Sequence, residues 1–253
     1  MSMRQSATLR STVLLATVSA VRAMAAVGAA TPRRMVLLHG SGTSAGAFVN
    51  SPTKYGAKEF LLGVPRRTDA GNVAPPNWLY EALDALSAEG EWWQGGGKYT
   101  GIEASIAAVE DQIREFGAVG LVGHEQGATL AAIVAARSAL GEGPPLKFAV
   151  ICGGEMPSAG KYADLLHRLR DSTAAIPTLH CYDRSEGALA EELAACFAPS
   201  DEVLLHDRGV AMPDRNWWLE TKGYPERITG GRYWCTQHRG PFRYAKDEIV
   251  SAF

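Results

Sequence analysis

Short apolar runs alternate along this chain with segments whose apolar residues recur at helical spacing, and this alternation limits the folds that the chain can adopt. Each run is short enough for one buried strand and is followed by turn-forming residues. Strands that alternate with helices predict an α/β fold, a mostly parallel sheet with helices on both faces and right-handed crossovers. The predicted strands are residues 35–38, 119–122, 148–152, 177–182 and 202–206, and the predicted helices are residues 102–116, 128–140, 162–169 and 189–197.

The segment between the first predicted strand and the first predicted helix has a less regular pattern. Residues 60–64 are apolar apart from one glycine and are followed by proline, which predicts a further strand. Residues 66–98 contain several prolines and glycines together with Trp78, Trp92 and Trp93. A long irregular segment with aromatic residues is typical of a binding loop or lid. Trp92 and Trp93 are therefore candidates to line a pocket, with packing in the core as the alternative.

Both ends of the chain differ in composition from the middle. The first acidic residue is Glu59, whereas residues 1–34 hold five arginines and many Ser, Thr and Ala. This composition predicts a targeting leader over residues 1–34 for a plastid or mitochondrion, with the secretory pathway or the cytoplasm as alternatives. Residues 35–213 form the predicted domain. Residues 214–253, with tryptophans, arginines and turn signals, form a predicted C-terminal extension.

Composition excludes several classes of function. The formal net charge is −2, so the chain lacks the basic character expected of a nucleic-acid-binding protein. No apolar run is long enough for a transmembrane helix. Cys235 and His238 are two possible metal ligands without a second pair at ligand spacing, so we predict no metal site and no cofactor. The expected partner is a small-molecule ligand or substrate; the pattern leaves the oligomeric state open.

One short motif points to a specific kind of active site. Residues 123–127, Gly-His-Glu-Gln-Gly, lie between a predicted strand and an Ala-rich predicted helix. This context matches the nucleophile elbow of α/β-hydrolases, G-x-S-x-G, in which a strained strand-to-helix turn exposes the middle side chain. The two glycines allow the chain to pass close to its neighbours, and the backbone N–H after the middle residue helps to bind an oxyanion. Here the middle residue is Glu125.

Several segments together resemble one family, the FSH-type serine hydrolases of eukaryotes, over residues 35–213. The resemblance implies an α/β-hydrolase fold and cleavage of carboxylic esters or thioesters by a Ser-Asp-His triad. The matching segments are residues 37–40 (Leu-Leu-His-Gly), 91–93 (Glu-Trp-Trp), 99–105 (Tyr-Thr-Gly-Ile-Glu-Ala-Ser), 123–128 (Gly-His-Glu-Gln-Gly-Ala), 148–152, 176–180 (Ile-Pro-Thr-Leu-His) and 206–213 (His-Asp-Arg-Gly-Val-Ala-Met-Pro).

The chain departs from the family pattern at two positions of the triad. Glu125 stands where the family carries serine, and Val210 stands where it carries the catalytic histidine. The acid position, just after the strand at 177–182, is assigned to Glu186, with Asp183 as the alternative. The earlier histidine of the family pattern is present as His206.

These departures remove the groups that serine hydrolysis needs. A hydroxyl nucleophile requires a base to take its proton, and the same imidazole then protonates the leaving group. Without either group we predict that ordinary serine hydrolysis does not run. The resemblance also assigns the oxyanion N–H groups to Ser41 and Gln126, and it makes the imidazole of His39 a structural group.

Three roles for Glu125 remain open at this stage. In the first, the site is inactive and the carboxylate fills the oxyanion hole near a helix N-terminus, bonded by the N–H groups of Ser41 and Gln126. In the second, Glu125 is a carboxylate nucleophile, with His206 or His238 as a substitute base. In the third, Glu125 is a general acid or base that works with Glu186.

Overall fold

The computed structural model describes residues 33–63, 78–158, 160–185, 187–198, 201–214, 221 and 224–228. Within these ranges six strands form one parallel sheet in the order β2-β1-β3-β4-β5-β6. The strands are β1 (Arg33–Leu38), β2 (Trp78–Leu83), β3 (Gly120–His124), β4 (Phe148–Cys152), β5 (Thr178–Asp183) and β6 (Asp201–His206). The predicted α/β class with a parallel sheet is therefore confirmed.

Seven α-helices lie within the described residues and cover the two faces of the sheet. They are α1 (Ala45–Asn50), α2 (Lys58–Gly63), α3 (Ile102–Phe116), α4 (Gln126–Ala139), α5 (Lys161–Arg170), α6 (Ala188–Ala195) and α7 (Tyr224–Ile228).

Alternation along β1 shows how the core divides. Val36 and Leu38 pack with the buried faces of α3, α4 and α5 on one side of the sheet. Met35 and Leu37 point to the other side, where Phe48 of α1 and other aromatic rings cover the sheet. Successive side chains of a strand alternate between faces, so a strand that is apolar throughout must be covered on both sides.

Residues 60–64 were predicted to form a strand, and this prediction is wrong. Residues 58–63 form α2, in which the N–H of Leu61 donates to the carbonyl of Ala57 at 2.8 Å. Ala57, Phe60 and Leu61 are buried together. Their spacing of three and four residues is helical, and a window of five apolar letters is too short to distinguish it from a strand.

The prediction that residues 66–98 are wholly irregular is also wrong, because β2 lies within them. This strand pairs with β1 from Trp78 opposite Arg33 to Leu83 opposite Leu38. It is at the edge of the sheet, and Trp78 is its only buried residue. Three of its other side chains are exposed and two are only partly buried, so the strand lacks the buried apolar run by which the internal strands are recognised.

Part of the predicted C-terminal extension packs on the domain. Tyr224 of α7 is fully buried, and its ring meets that of Phe148 edge to face with centroids 6.1 Å apart. The predicted leader lies almost entirely outside the described residues, since only its last two residues belong to β1. Within the part of the chain that the structure describes, no helix combines the length and the apolar character needed to cross a bilayer.

Helix α4 runs directly beside β1 because Gly127 has no side chain. A Cβ added at Gly127 would lie 2.4 Å from the carbonyl oxygen of His39 and 2.7 Å from that of Leu38. The next nine residues of α4, 128–136, are also buried, and many of them are alanine. Small residues here allow the helix to approach the sheet closely.

We predict that Gly127→Ala lowers the free energy of unfolding by about 3 kcal/mol, because backbone atoms must move to accept the added methyl group. Gly46→Ala is the matched control: it lies in α1, with nothing within 4 Å of an added Cβ. This control should raise stability by roughly 0.5 kcal/mol, since alanine loses less backbone entropy in a helix. Urea denaturation of both variants measures the two effects, and equal stability of Gly127→Ala and the wild type would contradict the close approach.

Candidate active site

The cleft around the elbow lies where the strand order of the sheet reverses. The chain passes from β1 to β2 on one side and to β3 on the other, so the loops that follow β1 and β3 diverge. Ligands of open α/β sheets bind at such a switch point, outside the carboxyl ends of the strands. Here a cleft of about 450 Å³ is lined by the 40–43 loop, by α1 and the loop after it, and by His124 and Glu125.

The residue at the tip of the elbow has a strained backbone. Glu125 has φ 50° and ψ −117°, a backbone conformation that residues other than glycine seldom adopt. Its N–H donates to the carbonyl of Cys152 at 2.9 Å, and its own carbonyl accepts from Ala128 and Thr129 at 2.9 and 3.1 Å. These bonds hold the strained turn and point the side chain into the cleft, as the motif predicted.

The carboxylate of Glu125 lies directly over Gly40. A Cβ placed on Gly40 would be 2.4 Å from Oε2 of Glu125. Burial raises the pKa of the Glu125 carboxyl above its ordinary value, and no neighbouring cation among the described residues opposes that shift. The carboxylate is therefore a partly desolvated anion at the base of the cleft.

Ser41 and Gln126 flank this carboxylate but do not bind it. No side-chain capping hydrogen bond forms between Glu125 and the start of α4. The described contacts of the carboxylate contain no hydrogen bond from Ser41 either. The described residues therefore show no hydrogen bond from the N–H groups of Ser41 or Gln126 to the carboxylate, whose Oε2 lies over Gly40.

The side chain of Gln126 holds the tryptophan loop against the elbow. Its Oε1 accepts from the N–H of Trp92 at 2.7 Å, and its Nε2 donates to the carbonyl of Trp93 at 3.0 Å. Trp92 is 1% exposed, and its indole N–H donates to the carbonyl of His39 at 2.8 Å. Trp92 and Trp93 thus pack in the core behind the 40–43 loop, and neither lines the cleft described above.

His39 has a structural role in that loop. Its Nε2 accepts from the N–H of Ala85 at 3.2 Å, and its Nδ1 lies 2.7 Å from the carbonyl oxygen of Gly40. Burial lowers the pKa of His39. The neutral ring ties the loop after β1 to the loop after β2.

Position 210 lies beside the elbow, as the family pattern requires of a catalytic base. A Cβ on Gly153, just after β4, would be 2.7 Å from Cγ1 of Val210. The backbone of Val210 is also near the ring of His124. A valine at this place has no group that can take or give a proton.

Asp183 and His206 lie together, away from Glu125. Asp183 accepts from the N–H and the hydroxyl of Ser185 at 2.8 and 2.5 Å, and from the N–H of Gly209 at 2.5 Å. These bonds lower the pKa of Asp183 to about 2. Nδ1 of His206 is 4.0 Å from Oδ2 of Asp183.

His206 ends β6, and β6 is three strands from β3 in the sheet, which separates its main chain from that of Glu125 by roughly 14 Å at the usual strand spacing. Asp183, the alternative candidate for the acid position, is at the end of β5. Glu186 and His238, the other predicted partners of Glu125, lie outside the described residues.

His124 is a site residue that the sequence analysis did not single out. It is 1% exposed, it stacks on Phe48 with centroids 5.9 Å apart, and it lines the cleft. Burial lowers the pKa of His124 to about 4, an effect that the nearby backbone of Val210 partly opposes. The ring is within reach of a hydrogen bond to the backbone of Val210, and no side chain among the described residues bonds to either ring nitrogen. The feature of the sequence that could have identified His124 as a site residue is its position directly before the elbow residue.

A family model described as Serine hydrolase (FSH1) matches residues 30–221, well over half of the chain. The chain belongs to this serine hydrolase family. The resemblance stated from the sequence motifs is therefore confirmed, and the parallel sheet with an elbow after β3 has the α/β-hydrolase fold of the family.

One curated relative is an esterase of Caenorhabditis elegans, C25G4.2, which is 31% identical over 121 residues. The match covers 45% of this chain and 53% of the esterase, so the chain spans about half the length of that relative. Similar solved structures include RedJ, a thioesterase of the prodiginine biosynthetic pathway in Streptomyces coelicolor (14% identity, TM-score 0.47, 77% of this chain and 90% of that chain). MenH from S. aureus is similar at 12% identity and TM-score 0.46, over 80% of this chain and 93% of that chain.

Within the described residues, no group of three or more His, Cys, Asp or Glu side chains is arranged to hold a metal ion. Cys235, the weak candidate ligand, lies outside those residues, as does its neighbour His238. The site is therefore described by one carboxylate, one neutral imidazole and the backbone of the 40–43 loop.

We predict that Glu125→Gln stabilises the fold at neutral pH and not at pH 4. Because the pKa of Glu125 is raised in the folded state, its contribution to stability is present below its unfolded pKa and is lost as the pH rises through the folded value. The difference in free energy of unfolding between Glu125→Gln and the wild type should therefore grow from pH 4 to pH 8. Urea denaturation across this range measures it.

Glu125→Gly separates charge from backbone strain. It should show the same dependence on pH, with an added gain of roughly 1 kcal/mol at every pH from relief of the positive φ. A difference between Glu125→Gln and the wild type that does not change with pH would contradict the desolvated carboxylate.

Proposed function

We propose that this member of the serine hydrolase family does not hydrolyse esters through a serine and instead binds a small molecule in an acidic cleft. The observation that carries the proposal is the pair of departures from the family pattern. Glu125 stands at the nucleophile position with its carboxylate over Gly40, and Val210, which lies near Gly153 and the ring of His124, stands where the family pattern carries the base. Glutamate has no hydroxyl with which to form the serine ester of the acyl-enzyme route, and valine moves no proton.

The acid position does not argue against this proposal. Asp183 has a structural task, because it fixes the 207–210 loop through the N–H of Gly209. It would keep that task in the absence of catalysis. The cleft itself stays open to ligands, since Glu125 is only half-buried.

A second function rests on His124. Its imidazole and the carboxylate of Glu125 both lie close to Gly40. In this alternative the protein is an active hydrolase of esters, thioesters or epoxides. As a nucleophile, Glu125 attacks an epoxide carbon and breaks its C–O bond to give an ester and an alkoxide that takes a proton, or it attacks the acyl carbon of an ester or thioester and displaces the alcohol or thiol to give an anhydride; water then cleaves the ester or anhydride and restores the carboxylate. Otherwise Glu125 transfers a proton as a general acid or base. Neutral His124 is the base available to activate that water.

The two functions are separated by turnover. We predict no hydrolysis of p-nitrophenyl esters or aryl epoxides by the wild type and no labelling by a fluorophosphonate probe, which reacts with activated serines. The double variant Glu125→Ser with Val210→His restores a hydroxyl and an imidazole, and it should raise ester hydrolysis on the order of 100-fold over either single variant. This gain shows that the assay detects a competent site.

Wild-type turnover that disappears in Glu125→Gln would overturn the non-catalytic proposal and establish carboxylate chemistry. Turnover that is equal in Glu125→Gln and in the wild type would instead arise outside this cleft. Near-native circular dichroism of each variant is the required control for folding.

We also propose that residues 1–34 are a targeting leader for a plastid or mitochondrion. The support is compositional: five arginines and no acidic residue. A fluorescent protein fused after residue 34 should enter one of these organelles, and N-terminal sequencing of the imported protein should show that the leader has been removed. A fusion that stays in the cytoplasm, or that enters the secretory pathway, would contradict the proposal in favour of the corresponding alternative.

A further inference from the structure

Two groups that accept hydrogen bonds meet over the same glycine at the base of the cleft. A Cβ on Gly40 would lie 2.4 Å from Oε2 of Glu125 and 3.0 Å from Nδ1 of His124. The two atoms are therefore no further apart than the sum of these distances, yet no hydrogen bond joins them.

His124 adds a second polar group to the part of the cleft that contains the carboxylate of Glu125. Its side chain is almost wholly buried and lines the cleft, its ring is within reach of a hydrogen bond to the backbone of Val210, and Nδ1, the ring nitrogen near Gly40, has no side-chain partner among the described residues. A buried polar group without a partner is costly, so such a group in a cleft indicates a ligand that supplies the missing bond. In the tautomer with the proton on Nε2, Nδ1 offers a lone pair towards Gly40.

The rest of the lining is suited to a small organic group. The hydroxyls of Ser41, Thr43, Ser51 and Thr53 surround the mouth, and the rings of Phe48 and Tyr55 provide apolar faces. None of the described lining residues is Lys or Arg, so the carboxylate is uncompensated within the cleft.

The nearest cation is held outside this lining. Lys54 donates from Nζ to the carbonyl of Arg208 at 2.8 Å, and its ammonium lies 4.9 Å from the ring centre of Tyr55. Lys54 thus bonds to the 207–210 loop at the rim. It also shows that the exposed ring of Tyr55 accepts a cation on its face.

We propose that the cleft binds a small organic primary ammonium ion, whose N–H groups donate to the carboxylate of Glu125 and to Nδ1 of His124. An ammonium ion has three donors and a positive charge, which complement one anion and one neutral acceptor. An alcohol has one donor and satisfies only one of the two groups. A carboxylate ligand is repelled by Glu125. This inference rests on the proposed function, because it identifies the ligand of a cleft that binds without serine catalysis.

Benzylammonium is the probe, because its ring can pack against Phe48 and Tyr55. Benzyl alcohol is the neutral analogue, and phenylacetate is the anionic one. Isothermal titration calorimetry of the full chain at pH 7.5 should give a Kd for benzylammonium at least about tenfold lower than for benzyl alcohol, as expected for a charge-assisted hydrogen bond. Phenylacetate should bind more weakly than benzyl alcohol.

Glu125→Gln should abolish the preference for benzylammonium over benzyl alcohol. Glu142→Gln is the matched control: it makes the same change in charge beyond the far end of α4, about 20 Å away at the helical rise. It should leave the preference unchanged. Glu125→Asp keeps the charge but shortens the side chain, so it should reduce the preference without abolishing it, which guards against a folding defect in Glu125→Gln.

Equal binding of benzylammonium and benzyl alcohol, tighter binding of phenylacetate, or no binding of benzylammonium would overturn this inference. Loss of the preference in Glu142→Gln would do the same, since it would attribute the preference to net charge. Equal binding of benzylammonium and benzyl alcohol, or tighter binding of phenylacetate, would still leave the cleft as a binding site for other ligands. These two results would therefore not contradict the proposed function. Failure of the proposed function has a separate signature, the Glu125-dependent turnover described above.

Discussion

The contact between the elbow and the loop after β1 is the constraint on which the rest of the site depends. Gly127 allows α4 to run against the carbonyl oxygens of Leu38 and His39, and Gly123 lets β3 pass the same helix, where a Cβ would lie 2.3 Å from the carbonyl of Gly127. With both approaches fixed, Glu125 is held in a strained conformation by three backbone hydrogen bonds. The strain is maintained by the scaffold whatever side chain stands at position 125, and the scaffold therefore presents that side chain to the cleft.

A glutamate in this place behaves differently from a serine because of its length. A serine hydroxyl would end near the backbone N–H groups at the start of α4. The carboxylate of Glu125 lies over Gly40, where burial raises its pKa and where no described residue donates to it. In the proposed function this carboxylate is a permanent acceptor, whereas serine hydrolysis needs a site that stabilises a developing negative charge. This change favours a ligand that brings its own donors and positive charge.

The pattern of the sequence predicted the internal elements well because burial on both faces leaves a continuous apolar run. The strand at residues 148–152 and the helix at residues 102–116 have the predicted bounds. The edge strand β2 and the short helix α2 were missed for the opposite reason. Only one side chain of β2 is buried, and α2 is too short for its helical period to be distinguished from that of a strand. Glu125 and Val210 were identified by the sequence motifs that contain them. The surroundings of His124 depend on residues that are distant in the sequence, so the motif alone does not predict them.

Asp183, the alternative candidate for the acid position, has a structural task that does not depend on catalysis. Its carboxylate accepts three hydrogen bonds, two from Ser185 and one from the N–H of Gly209, and these lower its pKa to about 2. The charge is therefore used to shape the loop that contains Val210, and none of these bonds involves a catalytic imidazole. Replacing the acid would release that loop, whereas replacing a histidine at position 210 by valine removes only proton transfer. A site that changes from catalysis to binding can therefore keep its acid for structural reasons, and the presence of Asp183 is not evidence that hydrolysis persists.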